Sequence, residues 1–165
     1  MGNCIYFAIK RPADDDHDIF DTTKLEELCN EFVTAARAAG GIVGERDIIF
    51  FPAKPSNGKL DSPYYQVFAH EGDSNILSYI EIDQYPDIDK NGGLWDQLFW
   101  IEAFWGCYRL VLGIAEQYFA AHPEGLLFME ASHYVFTKAD IDRICAKPFD
   151  PEWYKEQGSF LLSKF

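Results

Sequence analysis

From Leu94 to Ala121 the chain runs for 28 residues without a proline, and most of them are apolar or aromatic. Wound as a helix at 100° per residue, this segment brings Glu102, Arg109, Glu116 and Gln117 onto one narrow stripe with Gly106, Gly113 and Ala120. The rest of the circumference carries Phe104, Trp105, Cys107, Tyr108, Leu110, Val111, Leu112, Ile114, Tyr118 and Phe119. A helix so apolar needs cover on most sides, so this reading makes it the spine of the domain. Its length would also suffice to cross a bilayer. Glu102 and Arg109 would then lie inside the span at a cost on the order of 3 kcal/mol each, and no Lys/Arg cluster flanks the segment to orient it. The expectation is therefore a domain without a membrane span.

The remaining elements are shorter. Residues 3–9 are β-branched, aromatic and nearly all apolar, which suits a central strand covered on both faces. After a polar loop over 10–21, Thr23 with Glu26 reads as a capping box. It is followed by a helical stripe of Leu25, Leu28, Cys29, Phe32, Val33 and Ala36, and Gly40-Gly41 supplies the stop. Three strands are expected at Asp47–Phe51, Tyr64–His70 and Ile76–Asp83, joined by turn-rich segments short enough for an antiparallel meander. Another strand is expected at Leu126–Ala131 and a short helix from Thr137, whose partner Asp140 completes a second capping box, to about Ala146. The predicted order β-α-β-β-β-α-β-α gives an α+β fold. It consists of a mainly antiparallel sheet of about five strands packed against two long helices, with a short third helix near the C-terminus. At 165 residues, 48% of them hydrophobic, the chain is long enough for one core and reads as a single domain over 1–165.

Charge narrows the function classes. With 14 basic and 27 acidic side chains the formal net charge is −13, a field unsuited to nucleic acid or to an anionic membrane. The four cysteines, Cys4, Cys29, Cys107 and Cys145, are too far apart in sequence for a CxxC pair or a zinc knuckle. They read as reduced core thiols. The N-terminus lacks a basic stretch followed by an apolar one, so no secretory signal is expected and a cytoplasmic location follows.

No motif fixes a reaction, and neither a cofactor nor a catalytic residue is assigned. Asp87-Ile88-Asp89-Lys90-Asn91-Gly92 opens like a calcium loop, with Asp87, Asp89 and Asn91 at positions 1, 3 and 5. Leu98 stands where the bidentate Glu belongs, so the more ordinary role is an Asx-rich turn. Asp14, Asp16 and Asp18 repeat the 1-3-5 spacing without the glycine. None of the four histidines sits in a metal-binding array, no nucleophile elbow is present, and Gly40-Gly41-Ile42-Val43-Gly44 follows a helix instead of opening one. Glu81 and Asp83 fall on one face of a predicted strand, the arrangement that sets two carboxyls in one cleft.

The distribution of charge says more. Residues 61–89 hold Asp61, Glu71, Asp73, Glu81, Asp83, Asp87 and Asp89 and no Lys or Arg, and residues 12–23 hold five Asp and no base. Phe20, Tyr64, Tyr65, Tyr79 and Tyr85 are interspersed among these acids. Carboxylates mixed with tyrosines suit a surface that docks a basic protein: the field speeds encounter and the rings anchor the complex. The competing role is a solubility surface. The expectation is a non-enzymatic binding protein with a basic partner, for which the immunity partner of a toxin is the natural example. Its docking residues would be Asp14, Asp16, Asp18, Tyr64, Tyr79, Glu81, Asp83, Tyr85 and Asp87. The alternative is a small enzyme or ligand-binding domain, with a pocket under the long helix lined by Trp100, Trp105, Glu102 and Arg109.

Overall fold

The structure, a computed structural model, describes residues 4–11, 18–84, 95–103, 106–129 and 132–161. Ten strands and three helices appear among them: β1 (Ile5–Lys10), α1 (Thr22–Ala38), β2 (Ile48–Phe51), β3 (Lys54–Ser56), β4 (Lys59–Asp61), β5 (Tyr64–Glu71), β6 (Ser74–Gln84), β7 (Trp95–Ala103), α2 (Tyr108–Ala121), β8 (Leu126–Met129), β9 (Tyr134–Phe136), α3 (Lys138–Cys145) and β10 (Phe160–Leu161). Eight of the strands form one sheet in the order β10-β9-β8-β1-β7-β6-β5-β2, and β3 and β4 form a separate hairpin. Every pairing is antiparallel. The α+β class and the antiparallel sheet match expectation, but the sheet has eight strands, not about five.

The largest correction falls on the Leu94–Ala121 segment. It is a strand and then a helix. Trp95–Ala103 runs as β7 through the centre of the sheet between β1 and β6. The helix begins only at Tyr108, after Gly106 takes the left-handed conformation (φ 78°). A bulge explains why the strand reads as a helix. Phe99 pairs with Phe7 and Gln97 with Ala8, so Leu98 is an extra residue on β7. Leu98, Phe99 and Ile101 all join the main core. Two neighbours pointing inward break the period of two and imitate helical spacing.

All three helices contribute to the core on one face of the sheet. Leu25, Phe32 and Ala36 of α1, Leu110, Ile114 and Tyr118 of α2, and Ile141 and Ile144 of α3 are buried with Phe7, Val67, Ile80, Phe99 and Phe136 from the strands. The opposite face carries a smaller buried group, Ala8, Trp95, Leu126, Phe128 and Val135.

The caps bear out one expectation and correct another. Thr137 and Asp140 form the capping box of α3. Helix α1, by contrast, starts one residue before Thr23 and is capped by Asp21, whose side chain accepts from the Lys24 N–H at 3.1 Å. Asp140 does more than cap. Its buried carboxylate also accepts from the backbone N–H (2.9 Å) and hydroxyl (2.6 Å) of Ser159, which ties down the residue before β10.

Candidate functional site

Strand alternation decides what the face away from the helices displays. Ile76, Ser78, Ile80 and Ile82 of β6 are buried, which turns Tyr79 and Glu81 to the other side. On β7 the bulge restores the alternation so that Trp100 and Glu102 point the same way as Tyr79. Register then aligns rings on neighbouring strands: Phe51 opposite Tyr64, Tyr79 opposite Trp100, Trp100 opposite Tyr6, and Tyr6 opposite Phe128.

The result is a ladder of six rings crossing six strands. Centroids are 4.7 Å apart for Phe51–Tyr64, 5.9 Å for Tyr64–Tyr79, 4.1 Å for Tyr79–Trp100, 6.1 Å for Trp100–Tyr6 and 5.1 Å for Tyr6–Phe128. Tyr79 and Trp100 lie within 10° of parallel, as do Phe51 and Tyr64 at 8°. Parallel rings this close cannot lie side by side in one plane. They stand upright on the sheet, face against face, with their edges toward solvent. The rings in the middle of the ladder therefore offer little free face for a sugar or a base to stack on.

Carboxylates hold the polar tips. The Tyr79 hydroxyl donates to Glu102 Oε2 at 3.0 Å, and Trp100 Nε1 donates to Glu81 Oε1 at 3.0 Å. Burial, then the hydrogen bond and charge of Glu102, push the Tyr79 phenol up to about 12, so it stays a donor at physiological pH. Burial raises the Glu81 carboxyl above its ordinary range. The Trp100 hydrogen bond offsets part of that rise, and the Asp83 charge adds to it. At the β2 end of the ladder, the β3–β4 hairpin and the sheet frame a cleft of about 500 Å³ lined by Phe51, Lys54, Asp61, Tyr64 and Glu81.

Four of the residues expected to dock a partner thus lie together: Tyr64, Tyr79 and Glu81 on the ladder face, with Asp83 close enough to perturb Glu81. Asp18 sits elsewhere, in the turn before α1, where its side chain accepts from the Phe20 N–H at 2.9 Å and its neighbour Ile19 packs on the main core. Asp14, Asp16, Tyr85 and Asp87 lie outside the described residues, as do all three calcium-loop positions, Asp87, Asp89 and Asn91, and the pocket residue Trp105. No group of three or more potential metal ligands occurs among the described residues. Sequence reasoning missed Tyr6, Phe51, Trp100 and Phe128 as members of this face. Only correct pairing of β1, β2, β7 and β8 brings them together.

The alternative pocket comes apart. Glu102 is an exposed strand residue on the ladder face, whereas Arg109 belongs to α2, with its guanidinium 4.1 Å from the centre of the Phe149 ring. Arg109 lines a different cleft of about 610 Å³, together with Glu116, Cys145, Phe149 and Trp153. The thiol there is held in its protonated form: burial, then the charge of Glu116, push Cys145 up to about 11. None of the four cysteines is in a disulfide. Among the described residues no helix is long and apolar enough to cross a membrane. No protein-family model matches the chain, and no curated protein or solved structure matches it.

Proposed function

We propose that this chain is a non-catalytic cytoplasmic binding protein that docks a basic protein partner on its aromatic ladder; the neutralising partner of a toxin is the natural example. The observation that carries the reading is the Tyr79–Trp100 stack with its two carboxylates, Glu102 and Glu81. Upright rings with polar tips match the aromatic anchors of protein interfaces. The carboxylates and Asp83 give the face the charge that attracts lysine and arginine.

Calorimetric titration against a basic protein encoded beside this gene tests the proposal. Expected are nanomolar binding that weakens with salt, a loss of about tenfold or more for Trp100→Ala, and a smaller loss for Glu81→Gln with Glu102→Gln. Because a cation beside Glu81 favours its charged form, docking expels a proton from the fraction still protonated, and affinity falls as pH drops through the raised Glu81 titration. Binding that ignores salt and both sets of substitutions, or no binding to any such neighbour, defeats the reading.

A second reading rests on the Arg109 cleft, whose volume of about 610 Å³ falls in the range of small-molecule sites. A ligand screen with Arg109→Ala as control separates it from the first.

A further inference from the structure

The ladder face is acidic, so two copies of it repel. A different part of the molecule lacks that barrier. We infer that the β2 edge of the sheet pairs with the β2 edge of a second copy, antiparallel about a two-fold axis, to make a dimer with one continuous sheet.

Strand β2 is the last in the sheet order, and the hairpin that follows it is not hydrogen-bonded to it. Its sequence is Ile48-Ile49-Phe50-Phe51, with no charge, no proline and no bulge against β5. Edge strands are normally blunted by such devices because their free N–H and C=O groups recruit another strand. Before β2, past the short 3-10 turn Glu45–Asp47, Ile42 makes one further antiparallel bridge with His70 of β5. Three of the six large hydrophobic side chains exposed among the described residues lie along this side of the sheet: Ile42 (68%), Phe50 (42%) and Ile49 (39%).

Charge selects the occupant. Residues 42–61 contain Glu45, Asp47 and Asp61 against Arg46, Lys54 and Lys59. This stretch is neutral, so the whole charge of −13 lies in the rest of the chain. A basic partner gains nothing from a neutral apolar edge. A second copy meets the same balanced set of charges and no local repulsion. The pleat then restricts the register. Ile49 faces the ladder side, opposite Gln66, and Phe50 the helix side, opposite Tyr65. Residues directly opposite in an antiparallel pair share a face. A two-fold axis normal to the sheet at the middle of this four-residue strand, where the overlap is longest, therefore puts either Ile49 against its own counterpart or Phe50 against its own counterpart, and never Ile49 against Phe50.

Sedimentation equilibrium from low micromolar to millimolar concentration reads the outcome. The wild-type chain should associate reversibly toward twice its 18.9 kDa mass. Added salt should strengthen the dimer by screening the repulsion between two acidic bodies, the reverse of its effect on a basic partner. Ile49→Lys or Phe50→Lys should raise the dissociation constant by about tenfold or more, while Glu81→Gln should leave it no weaker. If the lysine variants do not fold, oxidation of Ile49→Cys and Phe50→Cys decides. One of the two should give a crosslinked dimer above the background that partly exposed Cys4 and Cys145 give in the wild type. A monomer at every concentration overturns the inference, and so does a dimer broken by Trp100→Ala but not by changes at Ile49 or Phe50. Either result leaves partner docking on the ladder standing.

Discussion

Phe99 and Trp100 are neighbours on β7 and inhabit opposite sides of the sheet. Phe99 is buried among Phe7, Phe32 and Tyr118, and its ring meets the last two at 59° and 47°. Trp100 is half-buried, lies within 10° of parallel to Tyr79 and hands its N–H to Glu81. Under the helices, rings arrive from different elements and mostly interlock at an angle, as close packing of irregular shapes requires. On the other side they all come from strands, so the spacing of the sheet lines them up. The same residue types build a core on one face and a patterned surface on the other. What separates them is which elements supply the neighbours.

The comparison breaks most easily at these two residues. Phe99→Ala should lower stability by roughly 3–5 kcal/mol, measured by urea unfolding. Trp100→Ala should lower it by no more than about 2 kcal/mol, with its main effect on docking. If the two cost the same, the ladder is a second core and the docking reading loses its support.

Next in size come two carboxylates shifted in opposite directions. At Asp140 burial alone would raise the carboxyl, but hydrogen bonds from Ser159 and Thr137 outweigh it and hold the group below its ordinary value. Its folded value is thus the lower one, so the stability it contributes is present above the unfolded value and lost as pH falls through the folded one. Asp140→Ala should cost roughly 2–4 kcal/mol at neutral pH and flatten the acid limb of the stability–pH curve. Glu81 is raised, so its charge is tolerated less well in the fold than in the unfolded chain, and acidification through its titration adds stability. Glu81→Gln should therefore change stability by less than about 1 kcal/mol, in the stabilising direction. Thermal melts across pH check both signs.

The smallest effect is expected at the tip of the ladder. Tyr79→Phe removes the hydroxyl that donates to the exposed Glu102 and keeps the stacked ring. A loss of about 0.5 kcal/mol or less should follow. A larger loss would mean that the tip bonds, and not the stacking, hold the rings upright.

Much of this was legible in the sequence where local chemistry decides local structure. The α1 stripe of Leu25, Leu28, Phe32 and Ala36 is buried, the alternation of Ile76, Ser78, Ile80 and Ile82 holds, and the box at Thr137 and Asp140 starts α3. Gly40, with φ 98°, follows the end of α1 as expected. The failure at Trp95–Ala103 has two causes: a bulge that disguises the strand period and a central position that buries Trp95, Leu98, Phe99 and Ile101. The site was half visible. Tyr64, Tyr79, Glu81 and Asp83 stand out as acid mixed with tyrosine, but the rings of Tyr6, Phe51, Trp100 and Phe128 join them only through pairings between residues distant in sequence. The hairpin Lys54–Asp61 is hidden among turn signals, because Pro55 and Asn57-Gly58 dominate it and its strands are three residues each.

Stacked rings have one more consequence. A tyrosine or tryptophan on an ordinary surface hops among rotamers and must be frozen when something lands on it. Here Tyr79 is braced by Tyr64 on one side and Trp100 on the other, and Trp100 in turn leans on Tyr6. Most of that ordering cost was met when the chain folded, so an arriving molecule finds its anchors already set and little motional freedom left to surrender. Under the docking proposal, tightness on such a face would come from slow release, with electrostatic attraction setting only the speed of arrival.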